Sequence, residues 1–354
     1  MAQDPLTICL MGDTKFGKTS LIASLRGCVQ QQAIGYKPDQ LFEFSVVGQK
    51  PLSKEYYAPG AYNDIENGLF GVGQGTAVDK TLTYDFVIKA RPDPSDPELT
   101  AYPIQVHDTG GAVWMSSVEK YVSQDSAVQD NFDSYREKIL PRAAALILVV
   151  PLFESWEVGS DVPWRRRMNE LLEAVMTQPE FNGIKRIAVA LTQYERLFVD
   201  FGALASTVAV DRFVAREIVK EALGRMRSQD VASRLLTHKT RDRQIVFVPV
   251  SAHGFARGNG CPNFDPGTNL LLRQRLGDPQ ETGRRALWRP FCTADPFLFA
   301  ATGMRSDYMF SYVELFGEVP EDDQPDGTDR QRPGVQDENQ STMGRLIRWL
   351  TGLG

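Results

Sequence analysis

Residues 10–25, LMGDTKFGKTSLIASL, carry the spacing Gly12-x-x-x-x-Gly17-Lys18-Thr19. A loop of this composition turns consecutive backbone N–H groups toward one point, where the positive end of the following helix also acts. The Lys18 ammonium group can then reach the β- and γ-phosphates, and the Thr19 hydroxyl can bind Mg²⁺. The stretch therefore predicts a loop that cradles the phosphates of a nucleotide.

The segments on either side of this loop supply the context that the motif requires. The apolar run 6–11 is typical of a buried strand, and Leu21, Ile22 and Leu25 suit one face of a helix. A strand, a glycine-rich loop and a helix in that order favour nucleotide binding over a chance match. The predicted phosphate contacts are Gly12, Asp13, Thr14, Lys15, Phe16, Gly17, Lys18, Thr19 and Ser20.

The composition fits a globular protein that does not bind nucleic acid. Hydrophobic residues make up 42% of the 354 residues and charged residues 24%, the balance of a chain with a core. The formal net charge is −6, so no overall basic field is present to hold DNA or RNA. The four cysteines, Cys9, Cys28, Cys261 and Cys292, form no C-x-x-C pair, which argues against a zinc site or a disulfide framework.

The N-terminal residues and the longest apolar run together give an expectation for the cellular compartment. Residues 1–5 lack the basic and apolar segments of a signal peptide. The longest apolar run, 143–153, is too short to span a bilayer. We therefore expect a cytoplasmic protein.

Apolar patterning predicts an α/β fold. Strands are predicted at 6–11, 82–88, 102–108, 143–153, 187–191 and, as the last one, 245–250; helices are predicted at 18–25, 163–176 and 208–226. The strands at 82–88 and 102–108 suit a hairpin with an elongated tip. The alternation of strands and helices elsewhere argues for a mostly parallel central sheet with helices on both faces.

Composition divides the chain into three predicted regions. Residues 1–317 form the nucleotide-binding domain, with an irregular, glycine-punctuated insertion at 26–80 and an aromatic-rich closing helix within 286–317. Residues 318–341, rich in Asp, Glu, Gln, Pro and Gly, are predicted to be a disordered acidic linker. Residues 342–354 are predicted to form a short amphipathic helix.

A second motif follows the strand predicted at 102–108. Asp108-Thr109-Gly110-Gly111 places a carboxylate at a strand end, where it can hold Mg²⁺, and a glycine whose N–H can meet a γ-phosphate. The same four residues are also good turn chemistry, so an ordinary turn is the alternative. The place directly after a predicted strand favours the nucleotide site.

Together these motifs resemble the Ras-like branch of the P-loop GTPases, of a divergent bacterial type, over about residues 6–255. GDTKFGKTSL is similar to a Rab-type phosphate loop, DTGG matches the D-x-x-G motif, and TLTYDFVIKA at 81–90 resembles the stretch where the family places its switch threonine.

The resemblance implies that Thr81 binds Mg²⁺ and the γ-phosphate and takes part in catalysis with Lys18. Thr76 is the competing candidate, and an ordinary exposed threonine is the other alternative. The implied metal ligands are Thr19, Thr81 and Asp108.

The resemblance also implies which residues contact the base. The family recognises guanine with N/T-K-x-D at the end of a buried strand, and Thr192-Gln193-Tyr194-Glu195 stands at that position. Gln193 replaces the lysine, and Glu195 replaces the aspartate with a carboxylate that is one methylene longer. We therefore expect a preference for guanine that is weaker than in the family.

A loop after the strand at 245–250 completes the implied base site. Ser251-Ala252-His253 resembles the start of the family's S-A-K/L loop, whose backbone recognises the guanine O6. His253 either covers the base or is an ordinary surface histidine. The further nucleotide contacts implied are Gly111, Thr192, Gln193, Glu195, Ser251, Ala252 and His253.

Hydrolysis is expected to be slow. In Ras-like proteins a glutamine follows the D-x-x-G glycine and orients the attacking water, whereas Ala112, Val113 and Trp114 follow Gly111 here. None of these side chains can orient water. We therefore expect hydrolysis of GTP to GDP and phosphate that is weak unless a partner supplies an arginine or a water-orienting group.

Three functions are compatible with these motifs. The leading hypothesis is a GTP/GDP switch with Mg²⁺ as cofactor, in which residues 60–80 and 109–135 reorganise around the γ-phosphate and signal to a protein partner. A nucleotide-binding scaffold or assembly subunit with negligible hydrolysis shares every binding residue, and the missing glutamine favours it. An ATP-using P-loop NTPase would leave the motif at 192–195 unexplained.

The predicted C-terminal helix offers a separate contact surface. Its apolar residues can line one side of a short helix, namely Leu346, Ile347, Trp349, Leu350 and Leu353. Such a segment can dock into a groove of a protein partner or make a weak contact with a membrane surface. The alternative is a helix that packs back on its own domain.

Overall fold

The computed structural model describes residues 4–13, 16–29, 42–46, 81–90, 99–115, 126–152, 175, 178–225, 243–256, 260–263 and 288–317. Several predictions concern other residues and so lie outside the described part. They are Thr14 and Lys15 of the phosphate loop, Thr76 and the segment 60–80, the hairpin tip, the helix at 163–176 apart from Val175, the linker 318–341 and the helix 342–354.

A seven-stranded sheet forms the centre of the fold. Its strands are β1 (Leu6–Met11), β2 (Phe42–Val46), β3 (Thr81–Ala90), β4 (Thr100–Thr109), β5 (Ala143–Pro151), β6 (Arg186–Thr192) and β7 (Gln244–Pro249), in the spatial order β2-β3-β4-β1-β5-β6-β7. Strands β4, β1, β5, β6 and β7 run parallel to one another. Strand β3 is antiparallel to both β2 and β4, so the predicted hairpin is confirmed.

Along the sequence, the described helices occur between these strands and after β7. They are α1 (Lys18–Val29), α2 (Gly111–Met115), α3 (Ser126–Lys138), α4 (Ala205–Ala209), α5 (Arg212–Arg225), α6 (Asp295–Thr302) and α7 (Tyr312–Phe316), with 3₁₀ turns at Leu140–Arg142, Pro179–Phe181 and Tyr194–Leu204. No helix of the described residues is both long and apolar enough to span a bilayer.

The central strands are buried on both faces. Successive residues of a strand point to opposite faces, and Ile8, Cys9, Leu10 and Met11 are all fully buried. Strand β5 shows the same unbroken burial from residue 145 to 150. Helices therefore cover both faces, and the predicted α/β fold with a mostly parallel sheet is confirmed.

Two local predictions were wrong. Residues 26–80 were expected to be irregular, but they contribute the edge strand β2. The single helix expected over 208–226 is two helices, because the Asp211 carboxylate accepts the backbone N–H groups of Phe213 and Val214 and so starts a new helix.

A two-stranded ribbon follows β7, so the prediction that 245–250 is the last strand was also wrong. It pairs β8 (Ser251–Ala256) with β9 (Trp288–Phe291) in antiparallel fashion, with an irregular register between Ser251 and Phe255. Gly254 lies in that irregularity with φ +65°, and a Cβ there would stand 1.9 Å from the Arg289 carbonyl oxygen. Such a bulge breaks the alternation on which strand prediction depends, which is why the sequence did not reveal it.

The closing helix expected within 286–317 is present as α6. It packs against β5 and β6, and every residue from Asp295 to Ala301 is buried. Beyond it, Phe310 exchanges two backbone hydrogen bonds with Phe247 of β7, of 2.8 and 3.0 Å. The segment after the ribbon is therefore an integral part of the sheet's packing.

Candidate nucleotide-binding site

The motif residues meet at one edge of the sheet. Parallel strands end at the same edge, and β1, β4 and β6 end at Met11, Thr109 and Thr192. Thr81 begins the antiparallel β3 and pairs with Thr109, so it starts at this edge as well. Polar groups at the carboxyl ends of parallel strands are the usual place for a ligand in an open α/β sheet.

Two glycines allow the phosphate loop to pass close to the sheet. A Cβ on Gly12 would stand 2.7 Å from the Val149 carbonyl oxygen of β5, closer than any side chain can come. Gly17 has φ +90°, a backbone conformation that other residues adopt only with strain. Both positions therefore need glycine for reasons of backbone geometry.

Lys18 is buried in the loop that precedes it. Its side chain is 6% exposed, and Nζ donates to the carbonyl oxygens of Gly12 at 2.7 Å and Asp13 at 3.1 Å. Burial lowers the pKa of Lys18, while the carboxylates of Asp108 and Asp13 oppose that shift. A desolvated cation whose hydrogen bonds to the described residues go to carbonyl oxygens is well placed to bind an anionic phosphate.

Thr19 and Asp108, two of the three residues that the resemblance assigns to Mg²⁺, are in direct contact. Thr19 Oγ1 donates to Asp108 Oδ2 at 2.8 Å, and Asp108 is fully buried. Hydroxyl and carboxylate oxygens are ligands that Mg²⁺ prefers, usually one or two of them with nucleotide phosphates and waters completing the shell. The described residues contain no cluster of three His, Cys, Asp or Glu side chains.

Thr81 lies in a strand and not in the loop before it. Its hydroxyl shares a hydrogen bond of 3.1 Å with the Thr109 hydroxyl, directly across the β3–β4 pair. In the register of that pair Leu82 stands opposite Asp108, so Thr81 lies one position from the predicted metal ligand. Its role as the switch threonine stays a prediction, because the segment with Thr76 lies outside the described residues.

A polar ladder beneath Thr81 was missed from the sequence. Thr83 Oγ1 lies 3.0 Å from His107 Nδ1, and Gln105 donates to Asp85 at 3.0 Å. Burial lowers the pKa of His107 to about 4, so this ring is neutral above that pH. The alternating polar residues of both strands were the available signal, since alternate positions share a face.

The segment after Asp108-Thr109-Gly110 is anchored in the core. Gly111 begins α2, and Val113 and Trp114 are fully buried. Trp114 Nε1 donates to the Leu10 carbonyl oxygen at 3.0 Å, and its ring meets Tyr135 of α3 edge-on at 4.8 Å between centroids. The segment that follows the D-x-x-G motif is therefore fixed to the core through Trp114.

Thr192 joins the predicted base motif to the phosphate loop. Its hydroxyl lies 2.8 Å from the Phe16 carbonyl oxygen and 3.2 Å from that of Val150. Phe16 directly precedes Gly17 and Lys18. The two halves of the candidate site are therefore held in a fixed relation by one buried side chain.

Glu195 and Ser251 form the buried core of the predicted base site. Ser251 Oγ donates to Glu195 Oε2 at 2.5 Å, and both residues are fully buried. Within the described residues, Glu195 Oε1 is buried and has no hydrogen-bond partner. Burial raises the pKa of Glu195, and the Ser251 hydrogen bond opposes the shift.

The residues beside this pair differ from the expectation. Ser251, Ala252 and His253 belong to strand β8 and not to a loop, because β9 pairs with this segment. Burial, with the Arg196 charge added, lowers the pKa of His253 to about 4. Gln193 adopts a left-handed conformation with φ 65°, which turns the chain sharply between Thr192 and Glu195.

Comparison with known proteins gives similarity in structure only. No protein-family profile matches the sequence, and no curated protein matches it. The signal recognition particle receptor SRb-GTP/SRX complex from Chaetomium thermophilum is 14% identical, with 73% of this chain and 96% of that chain covered at a TM-score of 0.35. The Ski7 GTPase-like domain of S. cerevisiae bound to GTP is 15% identical, with 70% of this chain and 43% of that chain covered at a TM-score of 0.30. The same domain bound to GDP and inorganic phosphate is 14% identical, with 79% of this chain and 50% of that chain covered at a TM-score of 0.31. At these identities and TM-scores the likeness concerns the general fold and says nothing about function.

Proposed function

We propose that this chain is a guanine-nucleotide-binding protein that hydrolyses GTP slowly on its own and signals to a protein partner. The phosphate half of the site supports nucleotide binding through the buried Lys18 and the two geometrically required glycines. Mg²⁺ would be held with the nucleotide by Thr19 and Asp108, where it would neutralise phosphate charge. A cytoplasmic location is part of the proposal.

The observation that carries the choice of base is the state of Glu195. A buried carboxylate oxygen without a hydrogen-bond partner is costly, so a donor on a ligand is favoured there. The purine N1–H of guanine is such a donor, whereas adenine has an acceptor at that position. The site therefore suits GTP or GDP better than ATP.

Calorimetric titration of GTP, GDP and ATP with Mg²⁺ tests this choice. We expect GTP to bind at least about 100-fold more tightly than ATP, because a site built around a hydrogen bond strongly rejects a ligand that lacks it. Glu195→Ala should remove this preference, and Glu137→Ala, at an exposed position on α3, should leave it unchanged. Equal affinities for GTP and ATP in the unmodified chain would contradict the proposal.

Slow hydrolysis follows from the side chains after Gly111. In a single-turnover assay we expect a rate on the order of 10⁻⁴ s⁻¹ or less, the unassisted rate of Ras proteins that possess the glutamine. Rapid release of phosphate without a partner would show that another group orients the water.

A second candidate function, a nucleotide-binding scaffold, is favoured by the anchoring of α2. Signalling of the Ras type requires the segment after the D-x-x-G motif to move when the γ-phosphate leaves. Here that movement would withdraw Trp114 from the core and break its bond to Leu10. Extracting a buried tryptophan costs about 3–5 kcal/mol, comparable to the whole effect of a switching ligand.

Hydrogen exchange of the GDP and GTP-analogue forms separates these two candidates. Unequal protection of residues 111–115 in the two forms indicates a switch. Equal protection indicates a scaffold that responds only to whether a nucleotide is present. Trp114→Phe, which keeps the aromatic packing and removes the hydrogen bond to Leu10, should increase any difference between the two forms.

A further inference from the structure

A cleft of about 400 Å³ lies at the edge of the sheet opposite the candidate nucleotide site. Strands β6 and β7 begin there, and Arg186 stands directly opposite Gln244 in their register. Helix α6 ends beside these two residues. We call this the amino-edge cleft, because it lies where the parallel strands begin. It is lined by Lys185, Arg186, Gln244, Thr302 and Gly303.

The glycine that ends α6 leaves space beside the Arg186 side chain. Gly303 has φ +78°, and its N–H donates to the Phe299 carbonyl oxygen at 2.8 Å. A Cβ at this position would stand 3.4 Å from Gln244 Oε1 and 3.8 Å from Arg186 Nη1. Any longer side chain would therefore occupy the space between the helix end and these two polar groups.

The two cations of the cleft have no counter-ion in the part of the chain that the structure describes. Neither the Lys185 ammonium group nor the Arg186 guanidinium group makes an ion pair or a hydrogen bond there. Arg243 at the same edge shows the contrast, because it donates to the carbonyl oxygens of Val175 and Phe181 at 3.2 and 2.9 Å. That arginine joins elements of the fold, whereas the donors of Arg186 are available to a ligand.

The cleft is positive although the chain as a whole is acidic, with a formal net charge of −6. Burial lowers the pKa of Arg186 and Tyr102 opposes that shift, so the half-buried guanidinium group lacks part of its hydration without gaining a carboxylate. The negative end of α6 offsets about half a unit of charge through the helix dipole. The two cations therefore leave an excess of about one and a half positive charges.

We propose that the amino-edge cleft binds a small phosphomonoester. Such a group carries about 1.5 to 2 negative charges at neutral pH, which matches the excess more closely than the single charge of a carboxylate. The planar fork of Arg186 can pair with two phosphate oxygens, while Lys185 adds a point charge and the Gln244 amide donates to a third oxygen. A volume of about 400 Å³ is typical of small-molecule sites, so the phosphate has room to carry a small organic group. This site is separate from the proposed nucleotide site and goes beyond the proposed function.

Calorimetric titration with glycerol 3-phosphate, inorganic phosphate and acetate at constant ionic strength tests the proposal. The full chain carries Lys18→Ala in this experiment, so that the phosphate loop does not contribute. We expect both phosphates to bind with dissociation constants of about 1 mM or below, and acetate to bind at least about 10-fold more weakly. Acetate binding as tight as that of phosphate, binding of inorganic phosphate alone, or no saturable binding of glycerol 3-phosphate below about 20 mM overturns the proposal.

Two variants in the same background locate the binding in the cleft. Arg186→Gln should lower the affinity for glycerol 3-phosphate at least about 10-fold, and Lys185→Gln, at an exposed position, at least about 3-fold. Arg142→Gln is the matched control, because Arg142 is exposed at the same edge of the sheet and does not line the cleft. It should change the affinity by less than about 2-fold, since salt screens a distant charge. With thermal melting confirming that each variant folds, unchanged affinity in both cleft variants or an equal loss in the control overturns the proposal.

Discussion

The phosphate end and the base end of the candidate site differ in how they are built. At the phosphate end the chain follows the motif of the family it resembles, with Gly12, Gly17, Lys18 and Thr19 at the required spacing. At the base end Gln193 and Glu195 depart from the motif, and a paired strand replaces a loop. Backbone groups form much of the phosphate cradle, so its geometry tolerates little change. The predicted base contacts are side chains at the end of β6, on the following 3₁₀ turn and on the ribbon, so their chemistry can change while the fold persists.

The largest expected effect breaks the phosphate end alone. Lys18→Ala should lower the affinity for GTP by about 1,000-fold, or about 4 kcal/mol, because a buried charge partner of the phosphates is lost. The melting temperature without nucleotide should not fall, since a desolvated cation is removed as well. Calorimetry and thermal melting measure both quantities, with the exposed Lys138→Ala as control. A comparable loss of affinity in that control would show that overall charge is responsible.

A substitution that strains the backbone of the ribbon should destabilise the base end alone. Gly254→Ala should lower the free energy of unfolding by about 3 kcal/mol, since its methyl group would meet the Arg289 carbonyl and its φ is positive. Gly202→Ala is the matched control, with φ +53° and no atom within 4 Å of the added methyl group. It should lose only about 1 kcal/mol in urea unfolding. Equal losses in the two variants would mean that the contact with β9 is unimportant.

His253 at the base end should make the stability of the fold depend on pH. Its pKa is lowered to about 4, so the unfolded chain binds more protons than the folded chain between about pH 4 and 6.5. Stability should therefore fall as the pH drops through this window, with about 2 kcal/mol of the loss due to His253. His253→Asn should reduce the slope without abolishing it, because His107 at the phosphate end titrates in the same window. Urea midpoints from pH 4 to 7 measure the slope, and an unchanged slope would contradict the prediction.

The smallest expected effect concerns the link between the two ends. Thr192→Val removes the hydrogen bonds to the Phe16 and Val150 carbonyl oxygens and should cost about 1 kcal/mol of stability. GTP affinity should fall by about 10-fold, since the phosphate loop loses its fixed relation to the base site. Thr207→Val, at an exposed position on α4, is the control. Unchanged affinity in Thr192→Val would show that the two ends are independent.

The sequence was most informative where residue types have a single physical use. The strand and helix on either side of the loop at 12–19, and the place of Asp108 at a strand end, could be predicted because the motif requires that context, whereas the phosphate contacts stay predictions. The long apolar runs of β1, β5 and β6 predicted buried parallel strands for a similar reason. The partly alternating polar and apolar residues of β3 predicted the other strand of the hairpin.

The ribbon could not be predicted, because its cause is a contact between distant residues. The pairing of Ser251 with Phe291 joins parts of the chain that no periodicity connects, and the bulge at Gly254 removes the alternation. The sequence indicated the acid, but only the fold shows its hydrogen bond to Ser251.

The pairing of Ser251 with Phe291 also sets the order in which the site can be completed during synthesis. Strand β9, which pairs with the predicted base site, follows the phosphate loop by about 270 residues, or roughly 14–54 s at common rates of translation. Phe310 must then emerge before β7 gains its last backbone partner. On the proposed function, a nascent chain that has formed the phosphate loop but not β9 could therefore hold the phosphates of a nucleotide before it could select the base.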